Sequence, residues 1–204
     1  MKQRFSVHFL YVIFLLFMNL GCSKNNNEIQ DPLEASQNLT LKAENLKIDE
    51  NGFSLISGEI KTAHGNIIFK FYPKHAPATV NRVIQLIESG FYNGLTFSRV
   101  VKNYLIQTGD PTGTGQGGSG KKIKAEVSNL QHIKGTMAMA RFEDKLDSAD
   151  SQFYITLTNA SHLDGLYTIF AQVVDGFQVL EKINKDDKVI SVTILPTSKT
   201  LQKL

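Results

Sequence analysis

From about residue 52 onward the chain is a series of short apolar-rich runs. Ser54–Thr62 and Asn66–Phe71 are joined by Ala63-His64-Gly65-Asn66, a hairpin signal. Further strand-like runs are Thr96–Val101, Leu105–Thr108, Gly135–Ala140, Gln152–Thr156, Thr168–Val173 and Val189–Leu195. One stretch breaks the pattern. Pro77-Ala78-Thr79 opens a helix, Val80, Val83, Ile84 and Ile87 share one face of it, and Gly90 stops it. A second, shorter helix fits Phe177–Ile183. Many short strands with two helices predict a mainly β fold, a closed antiparallel barrel capped by helices.

The first fifth of the chain follows another pattern. Met1–Arg4 is short and positive, Phe5–Leu20 is almost wholly apolar, and polar Ser-Lys-Asn follows Gly21-Cys22. That layout is a secretory signal peptide, and the apolar run is short for a membrane span of about 20 residues. Gly21-Cys22 resembles a bacterial lipobox, whose cysteine is lipidated and becomes the first mature residue. Asn19 and Leu20 depart from its usual residues. The expected organisation is a signal peptide over 1–21, then lipidated Cys22 and a flexible linker over 22–50. A folded domain over 51–198 and a tail over 199–204 complete it. Such a chain is exported and sits in the cell envelope as a membrane-anchored lipoprotein, facing the periplasm or exterior.

Composition narrows the chemistry. The length of 204 residues fits one domain plus appendages. Formal net charge is +3, and two of the positives, Lys2 and Arg4, lie at the extreme N-terminus. The remainder is nearly balanced, without the basic stripe that nucleic acid demands. A single cysteine, Cys22, rules out an intramolecular disulfide and a cysteine-based metal site, and the histidines lack metal-ligand spacing. No metal or cofactor is expected.

Four candidate motifs fail. Gly115–Lys122, GQGGSGKK, nearly fits a phosphate-binding loop, but Lys122 stands where Ser or Thr must hold magnesium. Gly113–Gly118 spells GxGxxG without a helical start behind it. Both read better as a glycine-rich surface loop. Asp144, Asp147 and Asp150 recur every third residue, whereas a calcium loop alternates its ligands. Ser98, Ser151 and Ser161 lack the glycines of a nucleophile elbow.

Several longer phrases occur in a meaningful order: YPKHAPATVNRVIQL, GFYNGLTFSRVVKNYLIQTGDPTGTGQGGSG, GTMAMAR, SQFYI and LDGLYTIFAQVVDG. Together they make the stretch from Glu59 to Leu195 resemble the cyclophilin family of peptidyl-prolyl isomerases. The resemblance implies an eight-stranded closed barrel with two capping helices. It places the catalytic arginine on Arg99 and its glutamine on Gln107. The proline pocket falls on Tyr104, Leu105, Ala140, Arg141, Gln152, Tyr154, His162, Leu163 and Tyr167. The implied partners are proline-containing polypeptides, bound by a monomer.

These residue types suit that reaction. Rotation about a prolyl bond is slow because partial double-bond character must be broken. Reaching milliseconds from tens of seconds requires roughly 10⁴-fold, or about 5 kcal/mol. At the twisted transition state the prolyl nitrogen gains a lone pair, and a fixed guanidinium that donates to it favours the twisted form. Gln107 would steady the guanidinium or the substrate carbonyl, and apolar walls would bury the proline ring. The departures are Ser98 for the histidine common before the arginine, Tyr104 and Tyr154 for phenylalanines, Arg141 for asparagine, and His162 for tryptophan. The last implies weak cyclosporin binding. Hydroxyls pointing into the pocket would make it more polar and favour an alternative, a chaperone that grips proline segments with little turnover.

Overall fold

The computed structural model describes residues 42–195. The segments read as signal peptide, lipidated Cys22 and C-terminal tail lie outside them, as do residues 23–41 of the linker. Linker residues 42–50 are described and lie on the domain. Ala43 is buried in the core, its amide donates to Asn81 Oδ1, and Ile48 bridges Ser54.

Among the described residues the order is β1 (Ser57–Thr62), β2 (Gly65–Phe71), α1 (Pro77–Glu88), β3 (Arg99–Val101) and β4 (Leu105–Thr108). Then follow β5 (Thr136–Met139), β6 (Phe153–Thr156), β7 (Ile169–Asp175), α2 (Phe177–Leu180) and β8 (Val189–Leu195). The predicted hairpin forms with Ala63-His64 at its tip, and Thr62 pairs with Gly65. Helix α1 begins at the proline, whose missing N–H costs nothing there. It buries Val80, Val83, Ile84 and Ile87 as the spacing requires. Its N-cap, Ala76, has no side chain to offer; the Glu126 carboxylate accepts from the Ala78 and Thr79 amides at 2.9 and 2.8 Å instead. Helix α2 is shorter than the predicted Phe177–Ile183, since the chain turns after Leu180 while still burying Ile183.

All eight strands pair antiparallel in one sheet, in the order β3-β4-β6-β5-β7-β2-β1-β8. The expected closed barrel is not formed: the sheet is an open, curled half-barrel whose ends, β3 and β8, share no ladder. The chain ahead of β3 meets the start of β8 instead, through the Gly94 amide bond to the Val189 carbonyl, the Val189 amide bond to the Leu95 carbonyl and the Thr96–Lys188 bridge. Beyond that bridge the antiparallel register sets Phe97 against Asp186 and Asp187, which precede β8, so the three residues of β3 have no β8 residue opposite them.

The central strands are buried on both faces, which hides their alternation in the sequence. Ile106, Met137, Met139, Phe153, Ile155 and Phe170 enter the main core. Phe153 meets Phe170 and Tyr92 edge-on, with ring centroids 5.9 and 5.5 Å apart. Their alternates, Leu105, Ala138, Tyr154 and Ile169, form a second cluster on the opposite face. Burying each of the large apolar side chains among them stabilises the sheet by about 1.5–3 kcal/mol. The second cluster is the floor of the site.

Candidate active site

Strand register sets one row of side chains across this outer face. Arg99 pairs with Gln107, Gln107 with Tyr154, and Tyr154 with Ala138. Above the row lies a cleft of about 700 Å³. Leu105, Tyr104, Ala140, Leu163 and Tyr167 complete its apolar part, while Arg99, Gln107, Gln152 and Arg141 supply polar groups. The sequence thus named one contiguous set, with one exception. His162 does not line the cleft; it is exposed behind the rim, stacked on Tyr104, with Nε2 2.8 Å from the Tyr104 hydroxyl.

The polar groups differ in their freedom. Gln107 Nε2 donates to Gln152 Oε1 at 2.8 Å, and Gln152 Nε2 donates to the carbonyls of Gly115 and Gly117 at 3.0 and 2.7 Å. This relay fixes which way the Gln107 amide faces. The Arg141 guanidinium is committed to the carbonyls of Leu166, Phe142 and Glu143 and lies 4.8 Å over the Tyr167 ring. The Arg99 side chain is exposed, and its guanidinium has no hydrogen bond or ion pair with any described residue. A cation beside an apolar floor, unclaimed by the protein, is a donor available to a ligand. Beside it Ser98 is buried, with a hydroxyl that meets no partner among the described residues.

The glycine-rich loop forms one wall, and its backbone amides are taken by the protein's own acids. Thr112 N and Gly115 N donate to the Asp110 carboxylate, while Ser119 N and Gly120 N donate to Asp150. A phosphate would find those donors used. Burial pushes the Asp110 carboxyl up, but the Thr112 hydroxyl and the amides of Thr112, Gly117 and Gly115 outweigh it, and the net direction is down. A Cβ at Gly117 would stand 2.1 Å from Asp110 Oδ1, so a larger residue there would push that carboxylate off the amides it holds. The spaced acids are clasps too: Asp147 accepts from the Ala125 amide, as Asp150 does from Ser119 and Gly120. No acid, histidine or cysteine cluster among the described residues could hold a metal ion.

Neither tyrosine hydroxyl makes the pocket polar. Tyr104 turns to His162, and the Tyr154 hydroxyl lies 2.9 Å from Nε2 of His132 beneath the floor. His132 is fully buried, with Nδ1 2.9 Å from Asp164 Oδ1. Burial lowers the His132 pKa more than Asp164 raises it, and hydrogen bonds from the His132 amide and ring hold Asp164 low. Burial also pushes the Tyr154 phenol up, so it stays protonated. His132, Asp164, Phe142 and Asp150 were not singled out for the site in the sequence. The signal for His132 was Tyr154 itself: a phenol on a buried strand needs a polar partner.

The domain resembles proteins of known kind. The family model for "Cyclophilin type peptidyl-prolyl cis-trans isomerase/CLD" matches residues 58–200. A peptidyl-prolyl cis-trans isomerase of Helicobacter pylori is 40% identical over 137 residues, covering 65% of this chain and 83% of that protein. One from Synechococcus elongatus is 38% identical over 138 residues, covering 67% and 94%. Among solved structures, a Cryptosporidium parvum cyclophilin type peptidyl-prolyl cis-trans isomerase, crystallised in the presence of the dipeptide Ala-Pro, superposes with a TM-score of 0.64. It is 29% identical, over 69% of this chain and 99% of that one.

Proposed function

This chain belongs to the cyclophilin-type peptidyl-prolyl cis-trans isomerase family, and from that premise we propose that it accelerates rotation about X–Pro bonds in exported proteins. The observation that carries the reading is the unclaimed Arg99 guanidinium at the edge of an apolar floor. A proline ring fits against Leu105, Tyr154, Ala140 and Leu163, which exclude water. Arg99 donates to the prolyl nitrogen as the bond twists and its lone pair appears, an interaction the planar ground state lacks. Gln107, held by Gln152, orients the substrate carbonyl. No proton transfer, nucleophile, cofactor or metal enters the reaction. The Ala-Pro dipeptide used with the Cryptosporidium relative supports proline-containing peptides as ligands.

The exported role rests on the sequence: positive Met1–Arg4, apolar Phe5–Leu20 and the lipobox-like Gly21-Cys22. Lipidation of Cys22 tethers the domain to a membrane by about 0.8 kcal/mol per buried CH₂. In cells fed a palmitate analogue, the wild-type chain becomes labelled and Cys22→Ala does not; equal labelling overturns the anchor. For the enzyme, a protease-coupled assay on a prolyl tetrapeptide, with the full chain in detergent, is decisive. Relaxation at the buffer rate would refute it.

A further inference from the structure

A single buried side chain links the cleft floor to the segment that closes the cleft. His132 lies between β4 and β5 in sequence, under Tyr154, with parallel rings at 15° and centroids 6.0 Å apart. Neutral imidazole carries one ring proton. The Asp164 carboxylate can only accept, so that proton sits on Nδ1, and Nε2 is left to accept the Tyr154 hydroxyl. The His132 main chain adds two ties: its amide donates to Asp164 Oδ1 at 2.7 Å, and its carbonyl accepts the Ala160 amide at 2.7 Å. Segment 160–164 is therefore pinned to His132 at both ends. Between the pins are Leu163, on the cleft wall, and His162, which holds Tyr104. Tyr167 stands edge-on to both the His132 and Tyr154 rings.

We propose that His132 is a positioning residue for the cleft: through Tyr154 on one side and Asp164 on the other, it sets the gap between floor and closing segment that a proline ring must fill. This role rests on the isomerase reading for its substrate. Both residues it grips present apolar surface, directly or through Leu163, while Arg99 stands on a separate edge strand and is not touched by the link. The link therefore governs how well the peptide is held, and the chemical step stays with Arg99.

The test uses the full chain in detergent and a succinylated Ala-Ala-Pro-Phe peptide, with affinity read by NMR titration and catalysed cis–trans exchange read separately at saturation. His132→Leu fills the same space without hydrogen bonds and weakens binding about tenfold or more, while the saturated rate stays within about threefold. His132→Gln can donate to Asp164 and accept from Tyr154, and it restores affinity to within about threefold. Asp164→Ala, at the partly exposed end of the link, keeps the buried volume and reproduces the affinity loss, which covers the case of a leucine variant that fails to fold. A folded His132→Leu or Asp164→Ala chain that binds like wild type overturns the proposal. So does a glutamine variant as weak as the leucine one. Peptide binding without catalysed exchange in the wild type counts against the isomerase reading and leaves the positioning role standing.

Discussion

Arg99 stands directly across the β3–β4 ladder from Gln107, and the Gln107 amide turns away from it to donate to Gln152. The guanidinium therefore keeps its donors for a ligand. Replacing Arg99 with alanine removes the one group aimed at the developing lone pair and should lower kcat/KM by roughly 10²–10³-fold, mostly in kcat. Because the side chain is exposed and makes no bond to a described residue, stability should change by no more than about 0.5 kcal/mol. Arg99→Lys should not restore the rate, since it lacks the planar fork. Isomerase kinetics beside a urea melt check both halves.

Gln152 holds the other end of that relay. Its amide supports two carbonyls of the glycine-rich wall, Gly115 and Gly117, at 3.0 and 2.7 Å. Gln152→Ala loses both bonds and the acceptor for Gln107. A cost of about 1–2 kcal/mol follows, with faster amide exchange over residues 113–118 and a raised KM. Hydrogen exchange on the folded variant reads the loop directly; unchanged protection there would refute the relay.

Acid should weaken the fold in two steps. Burial depresses the His132 pKa below its ordinary 6.5, so below about pH 6.5 the unfolded chain takes up a proton that the native state resists. More protons on the unfolded chain mean stability that is full above that pH and falls with acid. Asp110 and Asp164 are also depressed, so their contribution persists down to about pH 4 and is lost below it. Urea midpoints from pH 8 to pH 3 should show both declines. His132→Gln should flatten the upper one and leave the lower in place.

Most of the fold was legible because strand boundaries and the α1 face depend on local pattern. Val80, Val83, Ile84 and Ile87 announced their face, and Leu105–Thr108 and Val189–Leu195 were bounded as found. Closure was not legible. Whether β3 and β8 form a ladder depends on where the chain turns after Thr96, and a three-residue strand gives no periodic signal. The cleft residues came through phrases such as FSRVV and SQFYI, since Leu105 or Tyr154 alone reads as core. His162 was misplaced because adjacency to Leu163 in sequence does not make it face the same side; the 3-10 turn at Ser161–Leu163 turns it toward Tyr104. His132 and Glu126 act across long sequence gaps, and only the folded chain brings them to their partners.

Glu126 offers the sharpest test of such a remote contact. Its two carboxylate oxygens accept from the Ala78 and Thr79 amides, 48 and 47 residues away, at a helix start whose own cap residue is alanine. The charge also faces the positive end of the α1 dipole. Glu126→Ala strips two acceptors from amides that have no intrahelical partner and should destabilise the domain by about 1–2 kcal/mol. Glu126→Gln keeps one acceptor and loses the charge, so it should cost about half as much. An Ala76→Ser or Ala76→Asp change supplies a local cap to the same amides, and in the Glu126→Ala background it should recover much of the loss. Urea midpoints of the single and double variants read the coupling. Full additivity of the two changes would mean that Glu126 does not cap the helix.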